Sequence, residues 1–374
     1  TQNKERWKSW NSDGESFPQI EMLLELVTNA TDEEFERIAP VLLDLEAFYA
    51  QDTLNVLSGG YHLSDRGNNV VLLFDGAEGR FRPIPFNVSL QLPHKVTNLE
   101  EVPLLQKRIW ATPAFKESRD VFFQEYVEEH IEDDLLFIDT WIENMRLAFF
   151  RDNAKLVNNF MFLNDLEKFR GSANIWSTST PEVLEGIFPP EKEYVGVTLS
   201  EEFAHLLAAS ETPREFVRKH PQFLLQGDRL LLPNGTYVFR DTVVVPRETM
   251  LTIAPGTQIF MGEDASLVSY SPIQANGNAL QKIFISELNK DKPWGSLVVV
   301  NTEEATSTLS FVEIEKGTEV FINGVHFSGM VSFYNADVAI TNSTFKNIRG
   351  EDGVNIKGGL GVFEDNLIEG SFSD

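Results

Sequence analysis

The sequence predicts an α+β helical domain with an embedded β-hairpin, followed by an all-β right-handed parallel β-helix. In the N-terminal half, apolar residues recur at helical intervals. Beyond Gly227, short β-branched runs alternate with Gly, Asn, Asp and Pro. Near the end, two segments repeat with a separation of 23 residues. These observations predict a helical domain over residues 1–170, a helical linker over 171–226, and the β-helix over 227–374, truncated at its C-terminal end.

The first helical region runs from about Phe17 to Leu57. Thr31 and Glu34 have the spacing of a capping box, in which each side chain bonds the other residue's backbone amide. An apolar stripe follows and predicts plain core: Phe35, Ile38, Val41, Leu42 and Leu45. A second helical region extends from about Pro113 to Asp165, and its acidic run Glu128–Asp134 is interpreted as a solvated helix face rather than a metal site.

A β-hairpin is expected between these two helical regions. The runs Val70–Phe74 and Phe81–Ile84 flank the Gly-rich turn DGAEG. In the linker, Thr212 precedes Pro213 and Glu215, which is again the pattern of a capped helix start. The linker is therefore predicted to hold short helices.

The C-terminal repeat predicts a register between strands. Overlaying VAITNSTFKNIRG on GVFEDNLIEGSFSD matches Ile340 with Phe363 and Phe345 with Ile368. A period in the low twenties is typical of one turn of a parallel solenoid, whose turns bury inward residues against their neighbours. The segment MLTIAPGTQIF resembles the opening turns of right-handed β-helix proteins of the pectate-lyase-like type. Three asparagines fall near the expected corners, where their side chains can satisfy turn amides and tolerate left-handed backbone: Asn342, Asn347 and Asn366.

Charge and composition exclude several classes of function. The chain has 57 Asp and Glu against 31 Lys and Arg, a formal net charge of −26, which repels phosphate backbones and anionic lipid headgroups. We therefore expect no nucleic-acid partner. No apolar run approaches the ~18–20 residues that a membrane-spanning helix needs, so no membrane insertion is expected. The sequence has no cysteine, which excludes disulfides, zinc–thiolate sites and thiol nucleophiles.

Part of the N-terminal half has the pattern of a known family. The segments DEEFERIAPVLLDLEAFYAQDTLNVLSGGYH and DRGNNVVLLFDGAEGRFRPIPFNVS resemble the C-terminal lobe of the spore-coat CotH-like atypical protein kinases, over roughly residues 1–165. In that family, a loop ending in Asn-Asn precedes a hairpin whose second strand runs into a segment with a metal-binding Asp. The resemblance matches Asp65, Asn68 and Asn69 to the loop, and Asn87 to the metal-binding position.

The resemblance implies a phosphoryl-transfer site that uses Mg²⁺ and ATP. Asp65 is then the candidate catalytic residue and metal ligand, and Asn68 and Asn69 are the candidate cofactor-binding residues. His62, beside two glycines, is a further catalytic candidate. Without the resemblance, DRGNN also fits a plain polar turn and His62 a packed loop residue.

Two departures from the family pattern indicate a degenerate kinase. Asn87 offers a neutral carbonyl oxygen where the family has a carboxylate, and Ser89 replaces a second acid, so Mg²⁺ binding is weakened. The family's nucleotide-binding lobe lies upstream of the part that matches, and this sequence has only about 20 residues before its first expected helix, so we expect that lobe to be absent. We therefore expect a kinase-like protein that is catalytically degenerate and acts as a binding or surface scaffold.

Two other classes of function stay open. The first is a carbohydrate-binding or polysaccharide-cleaving protein, in which clustered acids would bind Ca²⁺ and a basic residue would abstract a proton. The candidates for these roles are Glu313, Glu315, Glu351, Asp352 and Lys357. The second is a structural or adhesive extracellular protein, in which the β-region is a stalk.

The expected setting is a bacterial exported protein, extracellular or at the cell surface, with a protein or glycan surface as its partner. The sequence opens without a signal peptide and stops without a capping segment, so we expect a fragment of a longer protein. An uncapped last turn would expose Val362, Phe363 and Ile368 and favour end-to-end self-association.

Overall fold

The computed structural model describes residues 18–58, 71–85, 102–151, 159–161, 163–164, 199, 203–302 and 305–370. Contacts between residues divide the chain into two compact units. The β unit comprises residues 1–26, 74–80 and 198–374, and the helical unit comprises residues 27–73 and 81–197. The domain limits at 170 and 226 that the sequence suggests stay a prediction.

Helices and one hairpin make up the described part of the chain up to residue 151. Their bounds are α1 (Pro18–Asn29), α2 (Asp32–Leu42), α3 (Leu45–Ser58), β1 (Val71–Asp75), β2 (Arg80–Ile84), α4 (Leu104–Ala111), α5 (Pro113–Glu129) and α6 (Ile131–Arg151). The expected hairpin is confirmed, because β1 and β2 form a two-stranded sheet. The region expected to be helical before it is divided into α1, α2 and α3.

The predicted capping box at the start of α2 is confirmed. Glu34 N donates to Thr31 Oγ1 at 3.2 Å, and Thr31 N donates to Glu34 Oε2 at 2.8 Å. The two bonds satisfy amides that have no partner within the helix. The predicted apolar stripe is buried at four of its positions and half-buried at Leu45: Phe35, Ile38, Val41 and Leu42 are the buried ones.

A buried arginine holds the junction between α1 and α2. Arg108 Nη1 donates to Val27 O at 3.2 Å, and Arg108 Nη2 donates to Thr31 O at 3.0 Å. The same nitrogen lies 3.2 Å from Asp32 Oδ1, and the guanidinium carbon lies 4.3 Å from the centre of the Phe35 ring. Arg108 thereby binds Val27 O, a carbonyl in the last turn of α1 that the helix cannot satisfy itself, and Thr31 O, which also accepts from Phe35 N at 2.9 Å.

A buried carboxyl group lies between α3 and α4. Asp52 Oδ1 accepts from Gln106 Nε2 at 2.6 Å, and Asp52 Oδ2 accepts from Trp110 Nε1 at 2.8 Å. Burial raises the pKa of Asp52 from 3.8 to about 7, against the opposing effects of the Trp110 bond, the Arg119 charge and the Gln106 bond. Desolvation of the charged form outweighs the three favourable interactions.

Two short helices precede the strands of the β unit, α7 (Ala204–Ala209) and α8 (Pro213–Lys219). The predicted capped start of α8 is confirmed. Glu215 N donates to Thr212 Oγ1 at 3.3 Å, and Thr212 N donates to Glu215 Oε2 at 2.8 Å. Pro213 occupies the first turn, where its missing amide hydrogen costs no helical bond.

Most strands of the β unit lie in three sheets, called sheets I, II and III. Sheet I contains β3 (Leu224–Gln226), β4 (Arg229–Leu232), β7 (Met250–Ile253), β10 (Ile273–Asn276), β13 (Ser307–Ser310), β18 (Val338–Thr341) and β21 (Gly361–Glu364). Sheet II contains β5 (Thr236–Phe239), β8 (Gln258–Met261), β11 (Ile283–Glu287), β14 (Val312–Glu315), β19 (Thr344–Lys346) and β22 (Leu367–Glu369). Sheet III contains β6 (Val243–Val245), β9 (Leu267–Ser269), β12 (Leu297–Val300), β17 (Gly329–Tyr334) and β20 (Asp352–Lys357). A further hairpin, β15 (Val320–Ile322) with β16 (Val325–Phe327), is inserted between β14 and β17.

Consecutive strands mostly belong to different sheets. The chain enters sheets I, II and III in turn, and each such round is called a pass. A strand therefore pairs with strands from the neighbouring passes. In sheet III the order is β20-β17-β12-β9-β6, and its pairings are parallel. Residues in register form buried apolar rows, such as Leu267, Leu297 and Val331. These rows make up the core of the unit.

The predicted fold class is wrong. The chain has an α/β fold with mostly parallel sheets, and its C-terminal region is a multi-sheet parallel arrangement rather than a single all-β right-handed parallel β-helix. Among the described strands, no barrel closes, and β15 pairs with β16 in antiparallel fashion, as β3 does with β4. The repeat in the sequence indicates which residues lie side by side, but it contains no information on how strands are shared among sheets or where a hairpin interrupts them.

The register expected from the repeat is confirmed. Ile340 pairs with Phe363 between β18 and β21, and Phe345 pairs with Ile368 between β19 and β22. Ile340 and Phe345 are fully buried, whereas Phe363 and Ile368 are about half exposed on the last strands. The expected self-association through these strands stays a prediction.

The predicted role of the corner asparagines is also confirmed. Asn342 and Asn347 have left-handed backbone, with φ of 49° and 51°. Asn366 Oδ1 accepts from Ser343 N at 2.9 Å, and its Nδ2 donates to Ile340 O at 2.7 Å. The side chains thus allow tight corners and satisfy backbone groups there.

Replacing Arg108 by methionine is expected to lower the free energy of unfolding by roughly 2–4 kcal/mol, because the carbonyl of buried Val27 loses its donor and Asp32 loses its buried ion-pair partner. Arg146→Met is the matched control, since Arg146 is exposed, its ion pair with Glu143 is worth about 0–1 kcal/mol, and its guanidinium carbon lies 5.9 Å from the centre of the Phe150 ring. Urea unfolding followed by circular dichroism measures both. Equal midpoints for the two variants would contradict the assigned role of Arg108.

The Asp52 carboxyl is expected to make stability depend on pH. Between about pH 4 and pH 7 the folded state keeps a proton that the unfolded state has released, so the free energy of unfolding falls as the pH rises through this window. Asp52→Asn removes this contribution, whereas Asp133→Asn makes the same change at an exposed position and should not. Urea unfolding of the three proteins across this window tests the expectation, and parallel curves for Asp52→Asn and the unmodified protein would contradict it.

Candidate ligand-binding pocket

A pocket of about 410 Å³ lies where three neighbouring strands of sheet III end. Because β6, β9 and β12 are parallel, the loops that follow them meet at one edge of the sheet. These loops contribute Arg247–Thr249, Tyr270–Pro272 and Asn301–Thr302. The rest of the lining comes from Arg80, Asp228, Met250 and Ala305, and all of it belongs to the β unit.

Hydroxyl groups hold two of these loops side by side. Thr249 N and Thr249 Oγ1 each lie 3.1 Å from Ser271 Oγ, to which they donate. Ser271 Oγ in turn donates to Pro246 O at 2.7 Å. Both side chains are buried, so this chain of bonds is shielded from water and fixes the loop after β6 against the loop after β9.

Asn301 fixes the loop after β12. Its backbone has a φ of 55°, a left-handed conformation that asparagine tolerates better than most residues. Its Nδ2 donates to Glu78 O at 2.7 Å, and its Oδ1 accepts from Asn335 Nδ2 at 3.3 Å. Glu78 lies two residues before Arg80, so the bond also positions the start of β2 at the pocket.

Tyr270 forms a buried wall of the pocket, with 8% of its surface exposed. Its phenol oxygen accepts from Asn323 Nδ2 at 2.8 Å. Burial raises the pKa of Tyr270 to about 12, while the Asn323 bond and the charges of Arg80 and Arg247 act in the opposite direction. The phenol is therefore protonated at neutral pH, and the two guanidinium groups lie close enough to influence it.

The pocket combines groups of both signs. Arg80 and Arg247 are hydrogen-bond donors, Asp228 and Glu248 are acceptors, and the hydroxyl and amide groups of the loops can do both. In the part of the chain that the structure describes, no group of three or more His, Asp or Glu side chains is placed to hold a metal ion. The mixture of donors and acceptors suits binding of a polar ligand.

The candidate residues of the kinase-like site lie outside the described residues. These are His62, Asp65, Asn68, Asn69 and Asn87. Their roles and their mutual distances therefore stay predictions.

Two of the acids considered for Ca²⁺ binding lie together on sheet II, but each is paired with a lysine. Glu313 Oε1 lies 2.8 Å from Lys346 Nζ, and Glu315 Oε1 lies 3.7 Å from Lys316 Nζ. Glu315 Oε1 also accepts from Ser286 Oγ at 3.0 Å. The two carboxylates alternate with buried Val312 and Ile314 along β14, so they lie on its outward face.

The other candidates of that set lie at sheet III and in the turn before it. Asp352 Oδ2 accepts from Ser328 Oγ at 2.8 Å and from Asn355 Nδ2 at 2.6 Å. Lys357 Nζ lies 4.6 Å from the centre of the Tyr334 ring. Glu351 N donates to Glu319 Oε2 at 3.1 Å. The five candidates are therefore divided between two sheets and do not form one cluster.

Sequence reasoning missed the pocket, because its residues come from five separated places in the chain. The one local signal is the sequence VVVPRE, in which a buried strand is followed directly by charged residues. This signal indicates a pocket only once β9 and β12 are known to end at the same edge of sheet III as β6.

No helix in the described ranges is both long and apolar enough to cross a membrane. No protein-family model, curated protein or solved structure matches this chain.

Proposed function

We propose that the protein is a non-catalytic binding protein that holds a saccharide in the pocket at the end of sheet III. The observation that supports this most directly is the composition of the pocket, where two arginines, two carboxylates and a buried tyrosine line the same cavity. Its volume of about 410 Å³ is within the roughly 300–1,000 Å³ common for small-molecule sites.

The lining fits the chemistry of a sugar. Each sugar hydroxyl both donates and accepts a hydrogen bond, and Asp228, Glu248 and Arg247 supply matching acceptors and donors. Met250 and Pro272 give apolar surface for the C–H groups of a pyranose ring. The loops are held by buried hydrogen bonds, so little ordering is needed on binding.

The CotH-like resemblance fits this proposal as a degenerate kinase lobe. The neutral Asn87 replaces a metal-binding carboxylate, and phosphoryl transfer depends on such carboxylates to hold Mg²⁺ against the phosphates. We further propose that the protein is exported in bacteria and acts as a scaffold at the cell surface, as the resemblance implies. Its partner would then be a glycan surface.

Polysaccharide cleavage is less well supported as a function. The acids that would bind Ca²⁺ on sheet II, Glu313 and Glu315, are engaged by lysines. Asp352 accepts two hydrogen bonds from neighbouring side chains. None of these groups lines the pocket, so the candidate Ca²⁺ ligands lie apart from the proposed ligand.

Saccharide binding is expected to depend on the pocket carboxylates. A glycan array identifies the ligand, and isothermal titration then measures its affinity. Glu248→Gln is expected to weaken binding about tenfold, because a charge-assisted hydrogen bond contributes roughly 1.5–3 kcal/mol and the amide retains part of it. Glu364→Gln changes an exposed glutamate outside the pocket and should leave the affinity unchanged. Absence of glycan binding, or equal affinities for the two variants, would contradict the proposal.

The degenerate kinase lobe is expected to bind Mg²⁺-ATP no more tightly than in the millimolar range, and Asn87→Asp alone should not restore phosphotransfer. Isothermal titration and a radiolabel assay for self-phosphorylation measure the two quantities. Asp65→Ala is the control, because a working site would lose activity on this change. Micromolar nucleotide binding, or turnover that disappears in Asp65→Ala, would show a functional kinase instead.

A further inference from the structure

We propose that the pocket ligand carries an oxyanion, which Arg80 and Arg247 bind at the wall formed by Tyr270. This inference rests on the proposed function, since it specifies which saccharides the pocket selects. The shared chemistry is that of a carboxylate or a phosphate group on a sugar.

The two arginines come from distant parts of the chain and meet at one place. Arg80 is the first residue of β2, and Arg247 lies two residues after the end of β6. Both line the pocket, and the charges of both act on the Tyr270 phenol. Neither Asp228 nor Glu248 has a comparable effect on that phenol. Positive charge is therefore concentrated at the buried wall.

The two carboxylates are placed differently. Asp228 and Glu248 are exposed, whereas Arg80 and Arg247 are partly buried and Tyr270 is buried. Exposed charges are screened by water and salt, and the Debye length is about 8 Å at physiological ionic strength. Charges beside a buried wall act in a lower dielectric, so the guanidinium groups act more strongly on a ligand there than they would in water.

The donors at this wall suit an oxyanion. A guanidinium has five N–H groups in a planar fork, so it can hold two oxygens of a carboxylate or phosphate while it keeps a contact to the protein. Tyr270 is protonated at neutral pH and accepts from Asn323, and within the described residues its hydroxyl hydrogen has no acceptor. That hydrogen can be donated to the ligand.

Long-range electrostatics oppose this ligand, because the protein has a net charge of −26. The approach of an anion is therefore slowed at low salt. Selectivity for the oxyanion must come from contacts inside the pocket, which makes it sensitive to single arginine substitutions.

The test compares ligands that share one ring and differ in one group. Glucose, glucuronate and glucose 6-phosphate provide a neutral, a carboxylate and a phosphate form, and any sugar identified on the array is treated the same way. Isothermal titration should give at least tenfold tighter binding of one charged form than of the neutral form. The carboxylate and phosphate arms show which oxyanion the pocket selects.

Arginine variants assign the effect to the pocket. Arg80→Gln should reduce binding of the charged form roughly 10- to 100-fold and leave the neutral form within about threefold. Arg247→Gln should reduce binding of the charged form by a similar factor and that of the neutral form by less, because Arg247 also donates to the sugar hydroxyls. Arg247→Lys keeps the charge but not the fork and should lose only part of the affinity. Arg349→Gln, an exposed arginine outside the pocket, is the control. Thermal unfolding confirms that each variant is folded.

The outcomes separate this inference from the proposed function. Equal binding of neutral and charged forms, unaffected by the arginine substitutions, overturns the oxyanion inference and leaves saccharide binding standing. Preference for the charged form that persists in both Gln variants also overturns it, because the anion is then bound elsewhere. Absence of binding by every sugar overturns the inference together with the proposed function.

Discussion

Parallel backbone pairing between neighbouring passes of the chain is the constraint on which the β unit depends. Within the described residues, five passes each contribute a strand to sheets I, II and III, and the last, β21 and β22, contributes to sheets I and II. Pairing fixes which residues lie side by side. The inward residues then stack into buried rows, such as Leu251 beside Ile273 in sheet I and Ile259 beside Ile285 in sheet II. The same pairing brings the ends of β6, β9 and β12 to one edge, so the pocket is a direct result of register rather than of any local motif.

Three buried polar groups of the protein, Arg108, Asp52 and Tyr270, fall into two contrasting classes. Arg108 remains charged and satisfies helix carbonyls, so its cost of burial is offset by several hydrogen bonds and an aromatic ring. Asp52 and Tyr270 accept hydrogen bonds yet have raised pKa values, because burial outweighs their partners. The contacts of Arg108 stabilise its charged form, whereas burial of Asp52 and Tyr270 favours their neutral, protonated forms. Of these three groups, Tyr270 is the one that lines the pocket.

Features formed by neighbouring residues were predictable from the sequence, whereas features formed by distant segments of the chain were not. The capping boxes at Thr31 and Thr212 involve residues three positions apart, so a stretch of four residues is enough to predict each of them. The pairing of Ile340 with Phe363 was predictable because that pass contains no insertion. Earlier passes differ in length: Thr252, Gln274, Thr308 and Ala339 lie in register, yet their numbers differ by 22, 34 and 31. No fixed period reveals such rows, so the division into sheets and the meeting of Arg80 with Arg247 depend on long-range pairing that one sequence does not display.

The unequal passes have an evolutionary consequence. The hairpin of β15 and β16 lengthens one pass, and yet Leu297 and Val331 on either side of it remain in register. Connections between strands can therefore gain or lose residues at low cost, since closure entropy grows slowly with length. Selection would preserve the buried rows of residues, while the number of residues between successive strands could change. Proteins descended from one ancestor would then differ mainly by insertions at the corners between strands. Sequence alignment penalises such gaps, so it would cease to detect the common ancestry while the strands still superposed.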